Sequence, residues 1–168
     1  MTNPLTRPNL TVTIREHPDK RLSPNAPPPT SLGAKRSRQR VVKRARENGH
    51  AAARCAVIDH AVIDDCDLYN AACAAEYPAA LRDRGPLDWM AGPVDVDLLI
   101  GWGFGRGKHD DDGAIGSAKA YRDGIADLFG ASDRGWRYRR VVQTRSARTH
   151  PHGTTTFVFT PREADDER

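Results

Sequence analysis

Val94-Asp95-Val96-Asp97-Leu98-Leu99-Ile100-Gly101-Trp102 is followed, after a glycine-rich run to Gly107, by Lys108-His109-Asp110-Asp111-Asp112-Gly113. The chain continues Ala114-Ile115-Gly116-Ser117-Ala118-Lys119-Ala120-Tyr121-Arg122-Asp123-Gly124-Ile125-Ala126-Asp127-Leu128-Phe129-Gly130. The first segment has period two, with Val94, Val96, Leu98, Ile100 and Trp102 on one face, which predicts a strand. The last recurs at helical steps through Ala118, Tyr121, Ile125 and Leu128, predicting a helix from about Ala114 to Phe129 that Gly130 ends. A strand, a glycine loop, an acidic entry and a helix form the unit around which the rest is read.

Downstream, residues 136–145 and 154–160 alternate again, and His150-Pro151-His152-Gly153 between them reads as the turn of a hairpin. Upstream, Leu10, Val12 and Ile14 alternate along an opening strand over 9–15, and the proline-rich stretch 22–33 is an extended loop. A helix begins at Ser31 or Gly33, with Asn48-Gly49 as its expected break. A second helical section runs to about Glu76, with Ala51, Cys55, Ile58, Val62, Cys66, Tyr69 and Cys73 as its apolar stripe and Asp64 or Asp65 as a possible divide. Residues 78–93 are mostly irregular. The order β–α–(α)–β–α–β–β predicts an α+β (mixed α/β) fold with a single small mixed sheet, one domain over 1–161, and a loose acidic tail over 162–168.

With 168 residues, 38% apolar and 29% charged, the chain reads as one globular domain. No apolar run approaches the roughly 20 residues of a membrane span. The first twenty residues hold no secretory apolar stretch, so the expected location is the cytoplasm and no membrane partner is expected. The formal charge of +4 is unevenly spread. Lys35, Arg36, Arg38, Arg40, Lys43, Arg44 and Arg46 form one block without an acid, and Arg134, Arg137, Arg139, Arg140, Arg145 and Arg148 form another. Two such blocks point to a polyanion, nucleic acid before membrane; a solvated helix or strand face is the bland alternative. Cys55, Cys66 and Cys73 have no zinc-site spacing and are expected to be free, buried thiols.

The chemistry-bearing stretch is Asp110-Asp111-Asp112 with Lys119, Asp123 and Asp133. On an extended segment Asp110 and Asp112 point the same way and can converge on a hard cation, while Asp111 faces away. Lys119 on the following helix can reach a phosphate, and Asp123 is placed for an i,i+4 pair with it. An acidic triplet ahead of a helix is also the ordinary charge bias of a helix N-terminus.

Several motifs in order resemble the RusA-type Holliday junction resolvases, in particular their phage-type branch. Asp110-Asp111-Asp112-Gly113 is similar to that family's D-x-D-N, and Lys119 stands near it on the helix. Asp123-Gly124-Ile125-Ala126-Asp127 through Ser132-Asp133 resembles its D-G-I-A-D-x-L-G-V-D-D segment, and Leu22-Ser23-Pro24-Asn25 its L-S-P-N loop before a basic helix. The resemblance covers roughly 9–47 and 94–160; residues 50–92 stand apart as a lineage-specific helical and irregular insertion. It implies a RusA-like fold and a crossover junction endodeoxyribonuclease, a metal-dependent phosphodiester hydrolase cutting branched DNA during recombination and repair in a bacterial or phage-infected cell. It further implies Asp110, Asp112 and Asp133 as Mg²⁺ ligands, with Mn²⁺ as a possible substitute, and Lys119 as a catalytic phosphate contact.

DNA contacts are expected from Asn25, Lys35, Arg36, Arg40, Lys43, Arg106, Lys108, Arg137 and Arg139. Sixteen helical residues span roughly 24 Å, so Asp133 either doubles back or serves the site of a second subunit. The second option is favoured, in keeping with the family's homodimers. Trp102, Phe104 and Trp136 are candidates for base stacking, with core packing favoured. His150 and His152 read as turn residues and His109 as a candidate for proton transfer. Two departures, Gly113 for the motif asparagine and Ser132 for the first acid of the later pair, motivate an alternative: a DNA-binding protein with a degenerate metal site and no cleavage. A second alternative is an assembly protein using the helical section after His50 as a partner surface.

Overall fold

The computed structural model describes residues 9–64, 87–103, 109–145 and 152–162. Four strands, β1 (Leu10–Ile14), β2 (Val94–Trp102), β3 (Trp136–Arg145) and β4 (Thr154–Pro161), form one sheet in the order β1-β4-β2-β3. β4 pairs antiparallel with both β1 and β2, and β2 pairs parallel with β3. Among the described residues, two long helices, α1 (Leu32–Asp64) and α2 (Asp111–Phe129), complete a small α+β fold with a single mixed sheet. Short 3₁₀ turns lie at Lys20–Leu22, Asp88–Ala91 and Asp133–Gly135.

The patterns of β1 and β2 predict their buried faces correctly, whereas β3 beyond Trp136 buries no residue fully. Leu10, Val12 and Ile14 of β1, Val94, Val96, Leu98, Ile100 and Trp102 of β2, and Phe157 and Phe159 of β4 are buried together. Against them pack Ala45, Ala53 and Val57 of α1 and Ala118, Tyr121, Ile125 and Leu128 of α2. Trp136 also belongs to this core and meets Phe159 edge-on at 4.9 Å. Gly130 ends α2 in the left-handed region, its N–H reaching the Ala126 and Asp127 carbonyls.

Four expectations are corrected. β3 and β4 are not a hairpin, because β2 lies between them. Alternation fixes which face a strand buries but not which neighbour it takes. Just before β4, Gly153 (φ 75°) approaches Gly101 and Gly103 at the end of β2 too closely for any side chain. Asn48-Gly49 does not break α1, which runs unbroken into the section expected to be a separate insertion. Gly49 is instead where α1 crosses α2: a Cβ there would stand 2.8 Å from the Tyr121 carbonyl carbon. Gly124 on α2 is its counterpart, 2.8 Å in the same sense from the Arg46 carbonyl carbon. The buried side of α1 is therefore Ala45, Gly49, Ala53 and Val57, and Ala51 and Cys55 are exposed. Cys66 and Cys73 lie outside the described residues, as do the tail from 163 and most of 78–93.

Across the crossing, Arg46 on α1 holds Asp127 on α2 with two hydrogen bonds. Glu16, just after β1, accepts from Asn48 Nδ2 on α1 at 2.7 Å and from the Tyr121 hydroxyl on α2 at 2.9 Å. Both helices are thereby tied to the same end of β1.

Candidate active site and nucleic-acid surface

α2 enters beside the carboxyl ends of the parallel pair β2 and β3, where the chain leaves a sheet and ligand sites gather in open α/β folds. Asp110 is the N-cap (φ −62°, ψ 161°), its Oδ1 accepting from the Gly113 N–H at 3.0 Å. Asp111 and Asp112 already belong to the first turn. The expected extended segment is thus a helix start three residues earlier than the apolar pattern indicated, and two-residue alternation does not set where these carboxylates point. The cap also gives Gly113 a reason, since a Cβ there would collide with the Asp110 carboxylate that accepts from its own N–H. All three acids are exposed. Asp110 retains its second oxygen, and Asp112 makes no hydrogen bond or ion pair among the described residues.

Gln143 of β3 holds this turn in place. Its Oε1 accepts from the His109 N–H at 3.0 Å and from Trp102 Nε1 at 2.9 Å. Its Nε2 donates to the His109 carbonyl at 2.7 Å and to Asp111 Oδ1 at 3.3 Å. Both backbone groups of the residue before the cap are therefore fixed to the sheet. The His109 ring packs on Trp102 at 4.7 Å, and His17 approaches the other way at 5.8 Å.

The Leu22-Ser23-Pro24-Asn25 loop reaches the same helix. Pro24 lies against Gly116, where an added Cβ would be 2.8 Å from the proline ring. Gly116 is one turn beyond Asp112 and three residues before Lys119, so these three share a face. Asn25 is exposed at the edge of that loop.

Lys119 forms the expected pair with Asp123, at 2.8 and 3.1 Å, and lies 3.7 Å from Asp133. Asp133 is also paired with Arg122, whose guanidinium sits 5.4 Å from the Tyr138 ring centre. The chain does double back after α2, but only to the level of Lys119 and Arg122, about 10 Å along the helix from Asp112 at 1.5 Å per residue. Asp110, Asp112 and Asp133 are not brought together: among the described residues no group of three or more His, Cys, Asp or Glu side chains is placed to hold a metal. Burial pushes the Tyr138 hydroxyl above its ordinary range, against the opposing charge of Arg122.

On α1, Lys35, Arg36, Arg40 and Lys43 are exposed, with Arg36, Arg40 and Lys43 in one stripe. Lys43 is 3.8 Å from Glu47, a solvated pair that leaves its charge available. Arg137 and Arg139 differ. Each grips a β2 carboxylate with two donors, Arg137 on Asp95 at 3.0 and 3.1 Å and Arg139 on Asp97 at 3.0 and 2.6 Å. Their first role is to neutralise acids on the sheet face away from the core. Phe104, Arg106, Lys108 and His150 lie outside the described residues; His152 is exposed at the crossing by Gly153.

Comparison with known protein families and with curated proteins returns no match. The geometry alone therefore carries the site. Sequence reasoning missed Gln143, Arg122 and His17. Gln143 has no local signal, since its role depends on β3 lying parallel to β2. Arg122 had one, as its helical position three residues after Lys119 faces the returning chain. Among the described residues no helix is long and apolar enough to cross a membrane.

Proposed function

We propose that this chain is a Mg²⁺-dependent endonuclease of branched DNA, of the RusA type, cutting four-way junctions. The observation that supports it is convergence. The Leu22–Asn25 loop and the Asp110–Asp112 turn, two separate points of family resemblance, meet on one face of α2 through the Pro24–Gly116 contact. A basic stripe on α1 begins at Arg36, in the first turns of the helix that follows that loop.

The donor set suits a small hard cation. Asp110 and Asp112 offer carboxylate oxygens, and Mg²⁺ is commonly held by one or two carboxylates with waters and a substrate phosphate oxygen completing its shell. Held there, such an ion would supply Lewis-acid polarisation of the phosphodiester and a more acidic water. Gln143 and the cap bond keep the acidic turn fixed, so its geometry exists before substrate arrives. Lys35, Arg36, Arg40 and Lys43 hold backbone phosphates, which orients DNA without reading its sequence. Lys119 supplies a cation two turns along from the carboxylates, kept in place by Asp123. Two such chains acting on one four-way junction would nick symmetric strands.

One observation favours the runner-up, a junction-binding protein that does not cut: Asp133 is engaged by Arg122 and Lys119 rather than by the acidic turn. The deciding experiment is cleavage of a labelled synthetic four-way junction with Mg²⁺, with EDTA, and with Asp112→Asn. Paired symmetric nicks that need both metal and Asp112 are expected. A junction bound tightly and left intact in Mg²⁺ and Mn²⁺ would leave only the binder.

A further inference from the structure

A cleft of about 520 Å³ opens between the chain after β1 and the facing side of α1, with Arg15, Glu16, His17, Arg44, Tyr121 and His152 in its lining. That size falls within the roughly 300–1,000 Å³ of small-ligand sites and exceeds what a lone ion needs. The sign of the charge it offers follows from which groups are already satisfied. Glu16 spends one carboxylate oxygen on Tyr121 and Asn48, and the other faces Arg44 at 3.9 Å. Asp19, also in the wall, is gripped by Arg21 through two donors. The acids are thus internally matched. Arg15 makes no ion pair among the described residues, and the Arg44 side chain is 75% exposed despite its long contact with Glu16. His152 stands exposed at the rim, its carbonyl held by both the backbone N–H and the ring of His17.

The cleft also connects the two parts of the proposed DNA surface. Arg44 directly follows Lys43 of the basic stripe. At the other end, His17, Trp102 and His109 form a chain of ring contacts that ends one residue before Asp110. The geometry points to a phosphate-binding cleft in which Arg15 and Arg44, with His152 at the rim, take the phosphate of a nucleotide unit. This assignment rests on the nucleic-acid reading above, but not on the metal or on cleavage. The phosphate can belong to a DNA strand or to a free mononucleotide, and the two are separable.

The test measures binding of a labelled four-way junction in EDTA across a salt series, for wild type, for the Arg15→Gln/Arg44→Gln double variant and for the corresponding double Lys variant. Each phosphate neutralised contributes about 0.9 to the log–log salt slope, so the Gln variant, which loses both cations on that one phosphate, should fall by about 1 while the Lys variant keeps it. Thermal melting of each variant checks that these exposed substitutions leave the fold intact. In a second arm, dTMP is titrated while the His17 and His152 ring signals are followed by NMR. A reduced junction slope without saturable dTMP binding assigns the cleft to the DNA backbone. Saturable dTMP binding that the Gln variant loses, with an unchanged junction slope, assigns it to a free nucleotide. An unchanged slope together with no saturable dTMP effect overturns the cleft. Failure of the wild type to bind the junction at all strikes the nuclease reading, and the dTMP arm then judges the cleft by itself.

Discussion

Gly124→Ala is the sharpest probe of how α1 and α2 are held. The new methyl would stand on the Arg46 carbonyl, 2.8 Å from its carbon and 3.0 Å from the His50 nitrogen. Carbon atoms in good contact lie about 3.5–4.0 Å apart, and the obstacle is backbone, so no rotamer change relieves it. The helices must separate by roughly 1 Å at their crossing. Overpacking of this kind costs about 1–3 kcal/mol, and the lack of side-chain relief places it at the upper end. Alanine returns roughly 1 kcal/mol of helix propensity, leaving a net loss of about 2 kcal/mol. For a chain of this size that is a fall of about 4–8 °C in Tm.

Urea unfolding should show a lower midpoint with an unchanged slope, the signature of altered stability rather than altered compactness. Gly33→Ala is the control, because its Cβ would meet only the Ser31 hydroxyl at 3.9 Å near the start of α1. It should be neutral or stabilising by up to about 1 kcal/mol. Gly49→Ala meets the same crossing from the other helix, so the Gly49/Gly124 double variant should cost less than the two singles combined. A Gly124→Ala protein as stable as wild type would refute the close crossing.

Two further outcomes follow from the same geometry. Asp110→Ala removes the α2 cap and should cost about 1 kcal/mol in urea unfolding, whereas Asp112→Asn, with no bond to lose among the described residues, should unfold like wild type; both should abolish junction cleavage, and equal stability of the two would contradict the cap. The hydrogen bond from Arg46 holds the Asp127 carboxyl below its ordinary range, so the pair's contribution is complete above the unfolded carboxylate value near ~3.9 and is lost as pH falls through the lower folded value. Both side chains are about half exposed, which limits the effect to at most about 1 kcal/mol. The Tm gap between wild type and Asp127→Asn should therefore be present at pH 7 and close in strong acid; a gap that persists at pH 2 would place its origin elsewhere.

The parts of the fold that were legible in the sequence are those fixed by local pattern. Val94 to Trp102 could bury only one face, and the steps Ala118, Tyr121, Ile125 and Leu128 admit only a helix. What the pattern does not carry is pairing. Strands β3 and β4 read as neighbours because a turn-like segment joins them, yet Phe157 and Phe159 are buried by a strand with partners on both sides. Glycine misled for a related reason. In isolation Asn48-Gly49 is a stop, and only the approach of Tyr121, more than seventy residues later, makes it a crossing point. At the candidate site, the acidic residues and the Leu22–Asn25 loop were readable individually. Their meeting at Gly116, and the hold of Gln143 on His109, depend on the sheet order and had no local trace.

Asp133 shows where residue type alone stops being informative. Its carboxylate is half of a matched pair: Arg122 has a side chain only 15% exposed and lies against Tyr138, and its Nε is buried with no hydrogen-bond partner among the described residues. Removing one member of a partly exposed pair such as this one, with Asp133 24% exposed, costs less than the about 3–5 kcal/mol of a fully buried pair and more than the at most about 1 kcal/mol of a surface pair. Drawing Asp133 toward a cation at the acidic turn incurs much of that cost unless another anion replaces it beside Arg122 and Lys119. Asp110 and Asp112 face no such penalty, as the cap bond uses one oxygen and leaves the rest in solvent. For the proposed cation, the cost of moving Asp133 argues within a single chain for Asp110 and Asp112 as the protein ligands, while Asp133 stays paired with Arg122 and Lys119.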